Sequence, residues 1–418
     1  MLCRPHDTPS SMTAAVPRRV GLYVAVVQFF FALTWSVYVI YLPQLAAQAG
    51  IPKTAVIWLL MLDQLVFLVA DYACGVASDR MARLNSRIGP AVLAVTVLSC
   101  AAFLLLPFIA PRGSALLFIA VTVLWTVGSS ALRAPPLNII GRHAARPSQP
   151  ALVALSMLGL GLAAAAAPYL ATALREVDPR WPFALASISL AATTLGIIAA
   201  ERALQGRPAA SVTSAPDALV KSDPRRLPWA PCLVAAVLAA IAFQVHVFLN
   251  STPLYLRHAN SGDIPQLAPV FWIGFNLGLW PASLAIKRHG GIAVTAAAGL
   301  TAAVASAWAA GAGSIETLVA AQALAGAAWA AVLTSAFSAA LALGHTGAEG
   351  RFSGALSSTL ALAALLRMGL LASGLTSLPH DSTMRLALDW LPAALWLLAG
   401  ALLLAIWQRE AARTRFRP

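Results

Sequence analysis

The stretch DYACGVASDRMAR, residues Asp71 to Arg83, closes an apolar run that opens at Thr54. Within a few residues the chain passes from greasy to charged. About 20 apolar residues in a helix cross the ~30 Å hydrocarbon core of a bilayer. Thr54–Ser78 therefore reads as a spanning helix, with Asp79, Arg80 and Arg83 emerging at the membrane surface. The rest of the chain has the same texture: 60% of its 418 residues are hydrophobic and only 10% are charged, with mean hydropathy +0.78. A soluble domain carries about a quarter charged residues, so much of this surface must face lipid.

Outward from that stretch, twelve segments are long and apolar enough to span. The first six are Val20–Leu42, Thr54–Ser78, Gly89–Ala110, Ser114–Ala134, Ala151–Ala173 and Pro182–Ala200. The second six are Trp229–Asn250, Pro265–Ile286, Gly291–Ala312, Ile315–Leu343, Phe352–Thr376 and Arg385–Trp407. The runs are continuously apolar and do not alternate, which argues for helices and against a spanning barrel. The fold class expected is an all-α membrane protein of two six-helix halves. Residues 1–19 read as a polar tail, 20–200 as the first half, 201–228 as a linker rich in Pro, Ala, Ser and charge, 229–408 as the second half and 409–418 as a second tail.

Orientation follows from the basic residues. Lys53, Arg112, Arg175, Arg180, Arg257 and Arg385 fall on one side, Arg367 falls inside a span, and the remainder of the 28 Lys and Arg fall on the other. That richer side is expected to be the cytoplasm, with both chain ends in it and the protein a multi-pass inner-membrane monomer. A net charge of +13 thus signals topology, not a nucleic-acid partner. Cys3, Cys74, Cys100 and Cys232 form no CxxC pair and read as reduced packing residues.

The Gly75-x-x-x-Asp79-Arg80 spacing, followed by Arg83 between the second and third spans, resembles the signature of the major facilitator superfamily. The resemblance implies that Gly75, Asp79, Arg80, Arg83 and a basic partner such as Arg133 latch the two halves in the outward-open state. Gly75 suits this, since a glycine lets a neighbouring helix approach closely. The loop after the eighth span, Ile286-Lys287-Arg288-His289-Gly290-Gly291, is a degraded echo with Ile286 in place of the acid. A narrower pattern, Asp71-x-x-x-Gly75-x-x-x-Asp79-Arg80, is similar to that of glycoside–pentoside–hexuronide cation symporters, although Phe67 stands where they carry a second acid.

Ionisable groups inside spans cost roughly 2.5–3.5 kcal/mol or more and so mark functional candidates. Asp63, near the midplane, is the leading candidate for a proton or substrate site, with a contact across to Arg367 in the eleventh span. Asp71 is expected in a surface-side charge network with Asp79 and Arg133, and Arg133 is expected to pair with Asp79. His246 is a further titratable candidate. Asp389 and Glu316 are expected at the interface. Gln28, Trp35, Tyr38, Gln244, Asn276, Gln322 and Trp329 are candidates to line a solute path, and such a lining suits a polar solute with an apolar face, such as a sugar.

These readings converge on a secondary active transporter that moves a small organic solute by alternating access, coupled to protons or another monovalent cation. A drug or metabolite efflux antiporter is the alternative; Ala163-x-x-x-Ala167-Pro168-x-x-Ala171-Thr172 resembles the frame of drug–proton antiporters, with alanines replacing their glycines. A membrane-embedded enzyme is the remote alternative, since HExxH, GxSxG and P-loop signatures are absent. No cofactor and no metal are expected.

Overall fold

The computed structural model describes residues 18–84, 88–144, 146–205, 229–344, 347–374 and 383–415. The polar tail up to residue 17, most of the linker (206–228) and residues 416–418 lie outside the described residues. Among the described residues the regular structure is helical, with no strand.

Among the described residues, twelve helices are long and apolar enough to cross a membrane: α1 (Arg19–Gln48), α2 (Lys53–Arg83), α3 (Ile88–Arg112), α4 (Ala115–Arg142), α5 (Gln149–Ala173), α6 (Arg180–Ala203), α7 (Trp229–Tyr255), α8 (Ser261–His289), α9 (Gly291–Ala310), α10 (Ile315–Gly344), α11 (Glu349–Ala372) and α12 (Thr383–Ala412). Helix continues past the boundaries expected at residues 200 and 408, to Gln205 and Arg415. Glu201 explains the first extension: its carboxylate accepts from the backbone N–H groups of Ile88 (2.9 Å) and Gly89 (3.0 Å), capping the free donors at the start of α3.

Large apolar side chains such as Trp58, Leu116, Leu185, Leu277 and Trp280 lie exposed on the outside of the bundle. Water would penalise that surface and lipid does not. Inside, packing is dense and aromatic; Tyr38, Phe103, Phe118, Trp125 and Phe183 form one buried cluster of the first half.

Two pairs of helices make the largest contacts between the halves: α2 against α11, and α5 against α8. With an even number of spans, both described chain ends lie on one face, called the near face below. The near ends of α2 and α11 belong to Arg83 and Glu349.

Lipid supplies little hydrophobic drive between helices, so close backbone approach does much of the holding. Gly159 of α5 shows this: a Cβ added there would strike the carbonyl oxygen of Ala25 in α1. Gly159→Val is therefore expected to destabilise the first half by about 1–3 kcal/mol. A melting curve of the purified variant reads this directly, and an unchanged Tm would refute the close approach.

Two irregularities shape the interior. α4 breaks into a tight turn at Ser130–Leu132 and resumes at Ala134. Pro135 and Pro136 fall in the first turn of the resumed helix, where a missing N–H costs nothing. They kink α4 rather than end it, and the kink sits at Arg133. In α7 a π turn covers His246–Asn250.

Candidate functional site

At the near face, α2 and α11 meet backbone to backbone. A Cβ on Gly75 would collide with the carbonyl of Gly350, and one on Gly350 with that of Gly75. This contact brings Asp79 onto the first turn of α11. Asp79 Oδ1 accepts from the Gly350 N–H at 2.8 Å, and Oδ2 accepts from the Arg351 N–H at 2.7 Å. Those donors have no partner within their own helix and sit at its positive dipole end. Asn138 of α4 donates to Asp79 Oδ1 at 3.0 Å and to Ser78 Oγ at 2.8 Å. Asp79 thus clasps the second half to the first. Arg80 and Arg83 are exposed at the same face. Ile286, at the echo position, is buried and apolar, so the other seam has no carboxylate at that place.

Arg133 does not pair with Asp79. The kink in α4 turns its guanidinium to Asp71, with Nη1 donating to Oδ2 at 2.9 Å. The Asp71 side chain is fully buried while that of Arg133 is 25% exposed. Arg133 also lies over the ring of Phe67, 3.8 Å from its centroid. Phe67 is a platform for the cation. Asp71 Oδ1 is buried without a hydrogen-bond partner.

Above the clasp, a cavity of about 410 Å³ lies between the halves. Gln28, Phe31 and Trp35 of α1, Gln64 of α2 and Arg133 of α4 line one side; Gln244 and Phe248 of α7, Phe337 of α10, and Ser357 and Arg367 of α11 line the other. Ile57 and Leu371 also line it, and they lie at the helix ends away from the near face. The cavity is therefore closed at the clasp and extends to the far face.

The expected contact between Asp63 and Arg367 is not made. Asp63 accepts from Tyr38 Oη at 2.8 Å and from Thr126 Oγ1 at 3.0 Å, within the first half. It is fully buried and is not among the cavity-lining residues. Successive helix residues point ~100° apart; that rotation brings Gln64 to the cavity and turns Asp63 toward α1 and α4. Arg367 lies eighteen residues along α11 from Glu349, about 27 Å from the clasped end, which places it near the cavity mouth. Its guanidinium sits 4.7 Å from the ring centroid of Phe248.

Of the lining candidates, Gln28, Trp35 and Gln244 border the cavity. Gln28 is already engaged, donating to the Leu132 carbonyl at 2.8 Å. Tyr38 serves Asp63. Gln322 and His246 bond to each other at 3.0 Å inside the second half. Asn276 donates to the Trp272 carbonyl at 2.8 Å on its own helix. Trp329 stacks on Phe243 with centroids 4.3 Å apart and borders a separate apolar groove.

Sequence reasoning missed Asn138, Thr126, Gln64 and Phe248. It also placed Asp389 at the interface, whereas its side chain is buried, paired with Arg385 at 3.1 Å and also with Arg257. The four-residue spacing of Arg385 and Asp389 on one helix face was the available signal.

No curated protein matches the chain significantly. Among solved structures it is similar to the human organic anion transporter MFSD10 (TETRAN), at 17% identity and TM-score 0.68, over 92% of this chain and 99% of that one. It is similar to the E. coli fucose:proton symporter FucP, at 15% identity and TM-score 0.61, over 95% of this chain and 99% of that one. A bacterial homologue of the iron transporter ferroportin, in its outward-facing state, gives 13% identity and TM-score 0.69 over 94% and 100%. At such identities these likenesses speak for the fold alone. The family model of the Major Facilitator Superfamily matches residues 24–368. With that match over most of its length, this chain belongs to the major facilitator superfamily and is a transporter of small molecules across a lipid bilayer, not an enzyme.

Proposed function

We propose that the protein is a secondary active transporter, moving a small organic solute by alternating access and coupled to protons or another monovalent cation. It does so in the cytoplasmic membrane, with both chain ends in the cytoplasm. The observation that carries this reading is the central cavity, shut at the near face by the Asp79 clasp and extending to the far face. Rocking the halves about the two seams opens the clasp and exposes the same cavity to the other side. Richness of the near face in Arg supports calling it cytoplasmic.

Coupling falls to Asp71 and Arg133 in this proposal. Their ion pair joins a buried carboxylate to a cation that lines the solute path. Protonating Asp71 frees Arg133, so occupancy of the cavity and protonation influence each other.

The test is uptake by proteoliposomes under an imposed pH gradient, with a panel of sugars, organic acids and dyes. At least one solute is expected to accumulate above equilibrium, and a protonophore is expected to collapse that accumulation. Uptake that only equilibrates, with and without the gradient, would refute coupled transport.

A further inference from the structure

The charges that line the cavity do not balance. Arg133 and Arg367 line it, and no carboxylate does. Arg133 is neutralised by Asp71. Arg367 makes no ion pair among the described residues; its Nε is buried without a hydrogen-bond partner, and its guanidinium lies over the ring of Phe248. Cation–π contact recovers a fraction of what a counter-charge supplies. An uncompensated charge between low-dielectric walls calls for an anion.

Size and lining narrow that anion. A cavity of about 410 Å³ far exceeds a halide ion. Its surface is mostly apolar, with Phe31, Trp35, Phe248 and Phe337 around the path. Such walls reward an apolar or aromatic body and leave a small inorganic ion without contacts. Gln244, also on the lining, has a buried Oε1 with no hydrogen-bond partner.

Resting on the reading of this cavity as the solute path, we propose that the transported solute is an organic anion with an apolar body, and that Arg367 is its charge partner at the cavity mouth. The guanidinium offers two parallel N–H donors to a carboxylate. Its place near the far face makes it an early contact for a solute entering from that side. Deeper in, Arg133 is held by its own acid and adds no net charge.

The experiment uses the full-length protein in lipid nanodiscs and calorimetric titration with 2-naphthoate, its neutral isostere 2-naphthamide, D-glucose and sodium chloride. Expected is binding of naphthoate, with naphthamide at least about tenfold weaker and no response to glucose or chloride. Arg367→Gln is expected to weaken naphthoate by about 10- to 100-fold and to leave naphthamide unchanged, the range of a charge-assisted hydrogen bond. Arg367→Lys, which keeps the charge but not the fork, is expected to recover part of the loss and to report that the fold is intact. The assignment is overturned if naphthoate fails to bind, if naphthamide or glucose binds as well, if chloride alone gives the signal, or if Arg367→Gln binds naphthoate like the parent. Failure here is separable from failure of coupled transport. Gradient-driven accumulation of sugars alone would leave coupling standing and remove the anion, whereas naphthoate binding without any gradient-driven uptake would do the reverse.

Discussion

Asp71→Asn is expected to abolish accumulation while leaving exchange. A gradient of two pH units, with one proton carried per solute, supports roughly 100-fold accumulation, since each unit is a factor of ten. An amide cannot carry that proton, so the ratio for the variant should fall to about one. Counterflow of labelled against unlabelled solute should persist, because it needs only the cavity and the rocking motion. Removing one member of a buried pair costs roughly 3–5 kcal/mol when both are fully desolvated. The cost is smaller here, since Arg133 is 25% exposed and keeps its place over Phe67. Asp71→Glu retains a titratable group and should retain coupling. Asp63→Asn is the contrast: the amide oxygen still accepts from one of the two hydroxyls and the amide N–H donates to the oxygen of the other, so accumulation should survive. Full accumulation by Asp71→Asn, with Asp63→Asn uncoupled, would return the role to Asp63.

Breaking the clasp should open the near face. Asp79→Ala deletes two charge-assisted bonds to the first turn of α11 and one from Asn138. Hydrogen bonds to a charged group are each worth about 1.5–3 kcal/mol. Losing two of them approaches the ~5.5 kcal/mol that carries a two-state population from 99:1 to 1:99. Spin labels at Arg83 and Arg351, both exposed at that face, are expected to move apart and broaden in distance after the native cysteines are replaced. Transport should drop more than about tenfold, because a carrier that cannot close one gate spends its cycle in one state. Gly75→Val should act in the same direction by a different cause, the collision with the Gly350 carbonyl. Unchanged label distances in both variants would show that the clasp does not hold the conformation.

Much of this molecule was legible in the chain. Twelve spans follow from segment length against bilayer thickness, and the division into halves from the polar stretch after α6. The place of Gly75 and Asp79 at a helix end follows from the step in composition at residue 79. Each is a one-dimensional property, set by hydration cost along the sequence, and needs no knowledge of neighbours.

The association of Asp71 with Arg133 was legible; most other partnerships were not, and the reason is geometric. Helical periodicity says which residues share a face, but not which helix lies across from it. Asp63 and Gln64 are adjacent and both polar, yet a turn of ~100° puts one inside the first half and the other on the cavity. Arg133 had two acids within reach of its helix end; the break in α4 at Ser130–Leu132 decided for Asp71 and left Asp79 to α11. Arg367 had an imagined partner in Asp63, and the bundle set it over the ring of Phe248 instead. Hydropathy along the chain sets the number of spans, their approximate extents, and which residues are too costly to be idle in a membrane. Which of those charges meet is settled in three dimensions, because pairing depends on how helices distant in the chain rotate and cross, and close glycine contacts such as Gly75 on Gly350 set those crossings.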